Sequence, residues 1–259
     1  MTVDMDVSVI LPVRNCALSV TKSISSLLAQ KGVTFEIIVV DANTDLVTTD
    51  VVKSFLRDSD HHILGSDQGV YAAINQGLVK ASGRWIYILG GDDYLPNENT
   101  LFEFVGQADH NTLLIMGDVE YRGSSSRWLK NRHASSFGWG LLWRNTVHQQ
   151  GTLYHHSLLA DRRFDERYRV LSDYAFHLWL FFHSDVKAEH VKYKPEVFAI
   201  CGAQGLSKRF NTALYWEEWS VKRRILPLGS GLLILPWVGL KMLLKGGVLR
   251  RNSTKLKRQ

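Results

Sequence analysis

The first third of the chain alternates between short apolar runs and longer segments in which apolar residues recur with helical spacing. The apolar runs predict strands at 6–13, 35–41, 62–64 and 84–90, and the segments between them predict helices at 18–30, 46–57 and 69–82. We expect the first strand to be stopped by Pro12 and Asn15, because proline donates no hydrogen bond to a strand ladder. Strands that alternate with helices are typical of βαβ units and predict an α/β fold with a largely parallel sheet.

The periodicity is weaker after residue 93. It predicts helices at 100–108, 171–184 and 210–226, strands at 112–121 and 127–133, and a mobile aromatic, glycine-rich loop at 137–143. The pair His155-His156 is interpreted as a helix start. Because neither an internal repeat nor a low-complexity linker is present, we predict one domain at 1–214 and a C-terminal helical appendage at 215–259.

Positive charge is concentrated at the end of the chain. The net charge is +6, and ten of the 31 lysines and arginines lie in 219–259, where there is no acid. These charges flank an uncharged apolar run at 225–240, a pattern that favours a membrane surface over a nucleic acid as partner. The chain contains two cysteines, which suggests no disulfide framework and a reducing compartment. Its first residues lack a cationic region, so we predict no signal peptide and a cytosolic protein.

Two adjacent carboxylates, Asp92 and Asp93, follow the fourth predicted strand directly after two glycines. Ligands of α/β proteins bind at the carboxyl ends of strands. Paired aspartates there suit a hard divalent cation, since Mg²⁺ commonly takes one or two carboxylates plus substrate phosphates. An ordinary Asp-Asp turn is the alternative interpretation.

Four motifs within this region together resemble glycosyltransferase family 2, whose members have the GT-A fold. They are residues 7–15 (VSVILPVRN), 36–45 (EIIVVDANTD), 66–71 (SDQGVY) and 91–93 (GDD), with looser matches at 148–151, 171–174 and 205–207. The resemblance covers roughly residues 5–210 and is greatest to bacterial enzymes of exopolysaccharide, capsule or lipopolysaccharide O-antigen synthesis. It implies a Rossmann-like nucleotide-binding mixed sheet flanked by helices.

The resemblance assigns the nucleoside of a sugar nucleotide to the ends of the first two strands. There Pro12, Val13, Arg14 and Asp41 would hold it, with Asp41 accepting a hydrogen bond from the base, and Asp67 would lie beside the nucleotide. Two alternatives remain open at this point. Asp41 could instead cap residues 42–45, and Asp67 could cap the helix that begins near Gly69.

The resemblance also implies a Mg²⁺ or Mn²⁺ ion that stabilises the leaving diphosphate. Asp93 would be its direct ligand, and Asp92 would contact the ribose or the sugar. His148 would lie near the acceptor or the diphosphate, and the role of Ser207 is left open because its segment matches imperfectly. Relatives commonly carry an acid where this chain has Ala72-Ala73, which would change how the donor sugar is held.

Asp173 is the candidate general base, at the start of a helix where burial raises a carboxylate's pKa. An ordinary N-cap formed by Ser172 or Asp173 is the compatible alternative. One base without a covalent nucleophile implies a single displacement with inversion. The rival functions are a nucleotidyltransferase, for which a glycine-rich triphosphate loop is missing, and an inactive transferase-like assembly subunit.

The apolar run at 225–240 is too short to span a bilayer and contains Pro227 and Pro236. We interpret it as an interfacial anchor, with packing against the domain or a partner as the alternative. The resulting hypothesis is a peripheral enzyme at the cytoplasmic face of the inner membrane. Its donor would be a UDP- or GDP-sugar rather than a dTDP-sugar. Its acceptor would be a saccharide or a polyprenyl-diphosphate-linked acceptor.

Overall fold

The computed structural model describes residues 5–122, 131–160, 162–202 and 212–227, together with Pro236, Gly239 and Lys241. The strands are β1 (Val7–Val13), β2 (Phe35–Asp41), β3 (His61–Leu64), β4 (Trp85–Ile88), β5 (Leu114–Arg122), β6 (Arg132–His133), β7 (Thr152–His155) and β8 (Val191–Gly202). The helices are α1 (Ala17–Leu28), α2 (Leu46–Phe55), α3 (Val70–Leu78), α4 (Thr100–Val105), α5 (Ser157–Ala160), α6 (Ser172–His183) and α7 (Thr212–Ile225).

The strands form one mixed sheet in the order β3-β2-β1-β4-β7-β5-β6, with β8 paired to β5. The first four strands in this order are parallel, as predicted from the βαβ pattern. Strand β7 then runs antiparallel to both β4 and β5, and β8 runs parallel to β5. The predicted α/β class is therefore confirmed, and the second half of the chain makes the sheet mixed.

Pro12 does not stop the first strand, contrary to the prediction. It lies inside β1, opposite Val40 of β2. The Leu89 amide donates a hydrogen bond to the Ile10 carbonyl, so the backbone polar groups of Ile10 point toward β4. Those of Pro12, two residues later, point to the same side, but β4 ends opposite Ile10. The missing amide of Pro12 therefore points to the side on which no strand remains to be paired, so no ladder bond is lost.

Helices cover both faces of the sheet, which explains why its inner strands are continuously apolar. One core cluster joins Val9 and Leu11 of β1 to α1, α2 and α4, while Ile10 belongs to a cluster with α3 and α6. Successive residues of β1 thus point to opposite layers.

Three features of the second half differ from the sequence prediction. The segment 137–143 contains a short 3-10 helix in which Leu141 is buried, so it is not an irregular loop throughout. His155 ends β7 rather than beginning a helix, and α5 starts two residues later. The predicted strand at 127–133 is present only as β6 within the described residues.

The last described helix belongs to the same packed unit as the domain. Tyr215, Val221 and Ile225 of α7 are buried in a cluster with α6. Beyond it, Lys241 Nζ donates to Glu218 Oε1 over 2.7 Å and to the Trp143 carbonyl over 2.6 Å. At this residue the chain packs against the domain, and most of 228–259 lies outside the described residues. No helix among the described residues has both the length and the apolar character needed to cross a membrane.

Candidate functional site

The candidate site begins at the edge of the sheet where the parallel strands β1, β2 and β4 end. Val13 at the end of β1 lies opposite Asp41 at the end of β2. β4, on the other side of β1, leads directly into Gly90, Gly91 and the two aspartates. Because parallel strands present their carboxyl ends at one edge, the chain order alone brings these three motifs together.

Asp41 is buried and its carboxylate is already bonded within the chain. The Asn43 amide donates to Oδ1 over 2.9 Å, and the Thr49 hydroxyl donates to Oδ2 over 2.6 Å. The N-cap of α2 is Asp45, so Asp41 stabilises the turn after β2 rather than capping the helix. A carboxylate has about four acceptor sites, so further acceptor capacity remains in principle.

Arg14 and Asp67 form an ion pair above the same edge. Arg14 Nη2 lies 2.9 Å from Asp67 Oδ2, and the side chains are 59% and 36% exposed. Exposed pairs of this kind contribute little stability, so the Arg14 guanidinium can be redirected to a ligand at small cost. The N-cap of α3 is Gly69 and has no side-chain cap, which argues against the alternative interpretation of Asp67 as a helix cap.

Asp92 and Asp93 leave the end of β4 in different environments. Asp92 is exposed, whereas Asp93 is 5% exposed and its Oδ1 accepts a 3.0 Å hydrogen bond from the Gly202 amide. Glycines make room for both carboxylates. A Cβ added to Gly202 would lie 2.6 Å from Asp92 Oδ2, and one added to Gly90 would lie 2.6 Å from Asp93 Oδ2.

This donor set fits a hard divalent cation such as Mg²⁺ or Mn²⁺. Both side chains offer oxygen, the ligand atom such ions prefer, and the glycines keep the surrounding space open. Among the described residues, no group of three or more His, Cys, Asp or Glu side chains is positioned to hold a metal ion. Mg²⁺ is usually bound by one or two carboxylates together with waters and substrate phosphates.

Two side chains report that the carboxylates share one cleft. The pKa of the Cys16 thiol is raised mainly by burial and further by the charges of Asp92 and Asp41. The pKa of the Tyr121 hydroxyl is raised by burial and then by Cys201, Asp93 and Asp173. Cys16 adjoins the loop after β4, since a Cβ added to Gly91 would lie 2.9 Å from its Sγ. Tyr121 lies within electrostatic range of both Asp93 and Asp173, and we call its surroundings the second side of the cleft.

His148 lies on this second side of the cleft. Its Nε2 forms a short hydrogen bond with the Tyr121 hydroxyl, and its ring makes an edge contact with His133 at a centroid distance of 5.4 Å. The sequence did not point to Tyr121, because it is an ordinary aromatic residue in a β-strand pattern.

Asp173 is the second residue of α6, and two side chains from elsewhere in the fold hold its carboxylate. The Tyr71 hydroxyl lies 3.0 Å from Oδ1, and Asn145 Nδ2 donates to Oδ2 over 2.9 Å. Burial raises the pKa of Asp173 from 3.8 to about 6, against the lowering effect of these hydrogen bonds. The residue remains partly open to solvent. It is therefore ionised at neutral pH and suited to accept a proton.

The alternative of an ordinary N-cap is wrong for both Ser172 and Asp173. The N-cap position of α6 is Leu171, and no side-chain cap hydrogen bond is present there. Instead Glu217 of α7 accepts hydrogen bonds from the Val170 and Leu171 amides, over 2.7 and 2.6 Å. Asp173 is thus not needed to begin the helix.

A cavity of about 510 Å³ lies elsewhere, on the face of α6 that carries Phe176 and Trp179. Its lining includes several arginines but none of the site aspartates. Arg167 pairs with Asp165 there, and Arg162 stacks on Trp179 at 4.0 Å. Ser207, whose role the sequence left open, lies outside the described residues.

Comparison with known proteins identifies the family of this chain. A model of the family described as "Glycosyl transferase family 2" matches residues 8–188. A "PGL/p-HBAD biosynthesis glycosyltransferase" of Mycobacterium bovis (strain BCG / Pasteur 1173P2) is 30% identical over 182 residues, which cover 67% of this chain and 69% of the relative.

Solved structures with the same fold include Staphylococcus aureus TarS 1-349 in complex with UDP-GlcNAc. It is 20% identical, with a TM-score of 0.66, over 86% of this chain and 67% of that one. In a longer TarS structure the match spans 39% of the length. The mannosyltransferase PcManGT of Pyrobaculum calidifontis, in complex with GDP-Man and Mn²⁺, is 17% identical, with a TM-score of 0.59, over 94% of this chain and 70% of that one.

Proposed function

Since this chain belongs to glycosyltransferase family 2 and has the GT-A fold of such enzymes, we propose that it moves a sugar from a nucleoside diphosphate to a saccharide acceptor with inversion. The observation that carries the proposal is that β1, β2 and β4 end at one edge of the sheet, where Asp41, Asp92 and Asp93 follow them, and that Tyr121 lies within electrostatic range of both Asp93 and Asp173. Acids at this edge are suited to a nucleotide and to a cation that neutralises its phosphates.

The donor would lie across the ends of β1, β2 and β4. The nucleoside would be held by Pro12 and Val13 at the end of β1 and by the buried Asp41 at the end of β2. Arg14 could leave Asp67 to meet the diphosphate, because their exposed pairing is weak. The ligands of TarS and PcManGT, UDP-GlcNAc and GDP-Man, favour a UDP- or GDP-sugar over a dTDP-sugar.

Asp93 would hold a Mg²⁺ or Mn²⁺ ion together with the donor phosphates, and Asp92 would contact the ribose or the sugar. Such an ion acts as a Lewis acid that stabilises negative charge on the leaving diphosphate. The Mn²⁺ in the PcManGT complex supports this assignment.

Asp173 would act as the base on the acceptor side. Its carboxylate takes the proton of the acceptor hydroxyl, the hydroxyl oxygen bonds to the anomeric carbon, and the bond to the nucleoside diphosphate breaks. One displacement inverts the anomeric configuration. His148 and Tyr121 lie beside this half of the cleft and would contact the acceptor or the diphosphate.

Calorimetric titration with UDP, GDP and dTDP, each with and without Mn²⁺, tests the proposal first. We expect one nucleotide, UDP or GDP, to bind, and to bind at least about tenfold more tightly with the ion, because Asp93 would hold the ion and the ion would neutralise phosphate charge. If a folded protein binds none of them, the chain is better described as an inactive, transferase-like assembly subunit.

The basic tail leads us to propose that the acceptor is lipid-linked and that the enzyme works at the cytoplasmic face of the inner membrane. A chain ending at Pro227 keeps α7 and its buried side chains. Such a chain should lose most sedimentation with anionic phospholipid vesicles, whereas the full chain should sediment and should detach in high salt. Equal sedimentation of both chains would refute a membrane role of the tail.

A further inference from the structure

A chain of hydrogen bonds runs behind Asp173 into the protein core. Tyr154 on β7 and His177 on α6 are both fully buried, and the Tyr154 hydroxyl lies 2.7 Å from His177 Nε2. His177 Nδ1 lies 3.3 Å from Asn145 Oδ1, and Asn145 Nδ2 then reaches Asp173. The four side chains come from strand β7, helix α6 and the loop that contains Asn145, so the packing of these three elements brings them together.

The protons of this chain can be assigned from its chemistry. Burial lowers the pKa of His177 to about 3, so the ring is neutral and carries one N–H. Asn145 Oδ1 can only accept, which assigns that N–H to Nδ1. His177 Nε2 therefore accepts from the Tyr154 hydroxyl. All donors point the same way, from Tyr154 through His177 and Asn145 to Asp173.

We infer that Tyr154 and His177 are positioning residues that keep the amide of Asn145, rather than its carbonyl, directed at the carboxylate of Asp173. This inference rests on the proposed role of Asp173 as base. An amide N–H stabilises the ionised carboxylate, whereas an amide oxygen in the same place would favour the protonated acid. The orientation of Asn145 therefore sets how readily Asp173 is available as a base.

The second donor to Asp173 cannot replace Asn145. The Tyr71 hydroxyl has one proton and lies between two acceptors, the Val170 carbonyl at 2.7 Å and Asp173 Oδ1 at 3.0 Å. When that proton turns toward Val170, Asn145 is the side-chain donor to the carboxylate that remains among the described residues. Asn145 itself is held in place by His177 on its other side.

The tyrosines around this chain stay uncharged near pH 6. Tyr71 on α3, Tyr121 on β5 and Tyr154 on β7 all have their pKa raised by burial and by the charge of Asp173. Acidic side chains face the chain as well: Glu217 on α7 acts on Tyr71 and accepts the two amides before α6, and Asp93 acts on Tyr121. A change at Tyr154 alters neither of these acids. A change in the titration of Asp173 after a change at Tyr154 therefore reflects the hydrogen-bond chain.

Replacing Tyr154 with phenylalanine removes the donor to His177 Nε2. A neutral imidazole then no longer gains from keeping its proton on Nδ1, and with the proton on Nε2 its Nδ1 becomes an acceptor. When Asp173 is protonated, the Asn145 amide can then turn toward His177 and present its carbonyl to the acid, which stabilises the protonated form. We expect the pKa of Asp173 to rise by about one unit in Tyr154→Phe.

The test is a ¹³C NMR titration of the Asp173 side-chain carboxyl carbon, assigned by its loss in Asp173→Asn. Tyr174→Phe is the matched control, because Tyr174 is also a buried tyrosine beside α6 but donates to the Leu141 carbonyl. The midpoint should rise in Tyr154→Phe and stay at the wild-type value in Tyr174→Phe. A Tyr154→Phe midpoint equal to or below that of wild type would overturn the inference.

A second measurement uses the wild-type protein and does not depend on a folded variant. In ¹⁵N-histidine-labelled protein, His177 should remain neutral with its proton on Nδ1 from pH 5 to 8, and a proton on Nε2 would contradict the assignment. Neither experiment needs a substrate. Full turnover by Asp173→Asn would therefore refute the proposed base without changing these results, and the reverse also holds.

Discussion

Replacing Asp173 with asparagine is expected to lower kcat by about 1,000-fold, since a positioned general base contributes about 10²–10⁴ to a rate. Asparagine keeps the size of the side chain and can still meet Tyr71 and Asn145, so the fold should be retained. The proposed donor site lies at the ends of β1, β2 and β4, whereas Asp173 lies on α6. Nucleotide affinity should therefore stay within about twofold of wild type. Initial rates at saturating donor and calorimetry on the same samples separate these two effects.

The pH dependence of the wild-type enzyme provides an independent check on the same residue. Because burial raises the pKa of Asp173 to about 6, kcat/KM should increase as the pH rises through 6 and level off above 7. The folded state binds a proton that the unfolded chain has lost between pH 3.8 and about 6, so Asp173 lowers stability as the pH rises through this window. Asp173→Asn should consequently melt at a higher temperature than wild type at pH 7. An inactive variant that also melts lower would indicate that the loss of activity comes from misfolding.

Replacing Asp93 with asparagine is expected to abolish the effect of Mn²⁺ on nucleotide binding and to lower kcat/KM by about 1,000-fold, since a Lewis-acid metal supplies several kcal/mol to such a transition state. Asparagine is a much weaker ligand for a hard cation than a carboxylate. It retains an oxygen that can accept the hydrogen bond from the Gly202 amide, so the buried position of Asp93 is disturbed little. Calorimetry with and without Mn²⁺ measures the coupling directly.

Asp92→Asn is the matched control, because it makes the same change at the adjacent, exposed aspartate. It should weaken donor binding by about tenfold, as expected for a lost contact to the ribose or the sugar, and should keep the dependence on Mn²⁺. The opposite ranking, in which Asp92→Asn alone loses the effect of the ion, would move the metal ligand to Asp92.

The parallel half of the fold could be predicted because its signals are local. Strands β1 and β2 are buried on both faces, which makes them apolar throughout, and each ends at a polar motif whose position follows from the strand. The α/β class follows from that regularity, the family was implied by the resemblance of the motifs, and both are confirmed. The roles of the individual site residues remain predictions.

The acceptor half was harder to predict because long-range pairing determines it. β8 begins with two half-buried lysines and an exposed proline and is a strand because β5 pairs with it along its length. Asn145 lies in a loop with no motif around it, and only the fold brings it to Asp173. The exclusion of the cap interpretation likewise required Glu217, which approaches the start of α6 from a helix more than 40 residues later.

The bond between the Gly202 amide and the Asp93 carboxylate has a consequence for synthesis on the ribosome. It joins residues 109 positions apart, and β8 must pair with β5 before it can form. The N-terminal strands β1 to β4 pair across shorter separations than this bond and can assemble as they emerge, whereas contacts of higher sequence separation form later. A nascent chain would therefore carry the paired strands β1 to β4 well before the environment of Asp93 is complete. The catalytic cleft would be assembled last, when nearly the whole domain has been translated.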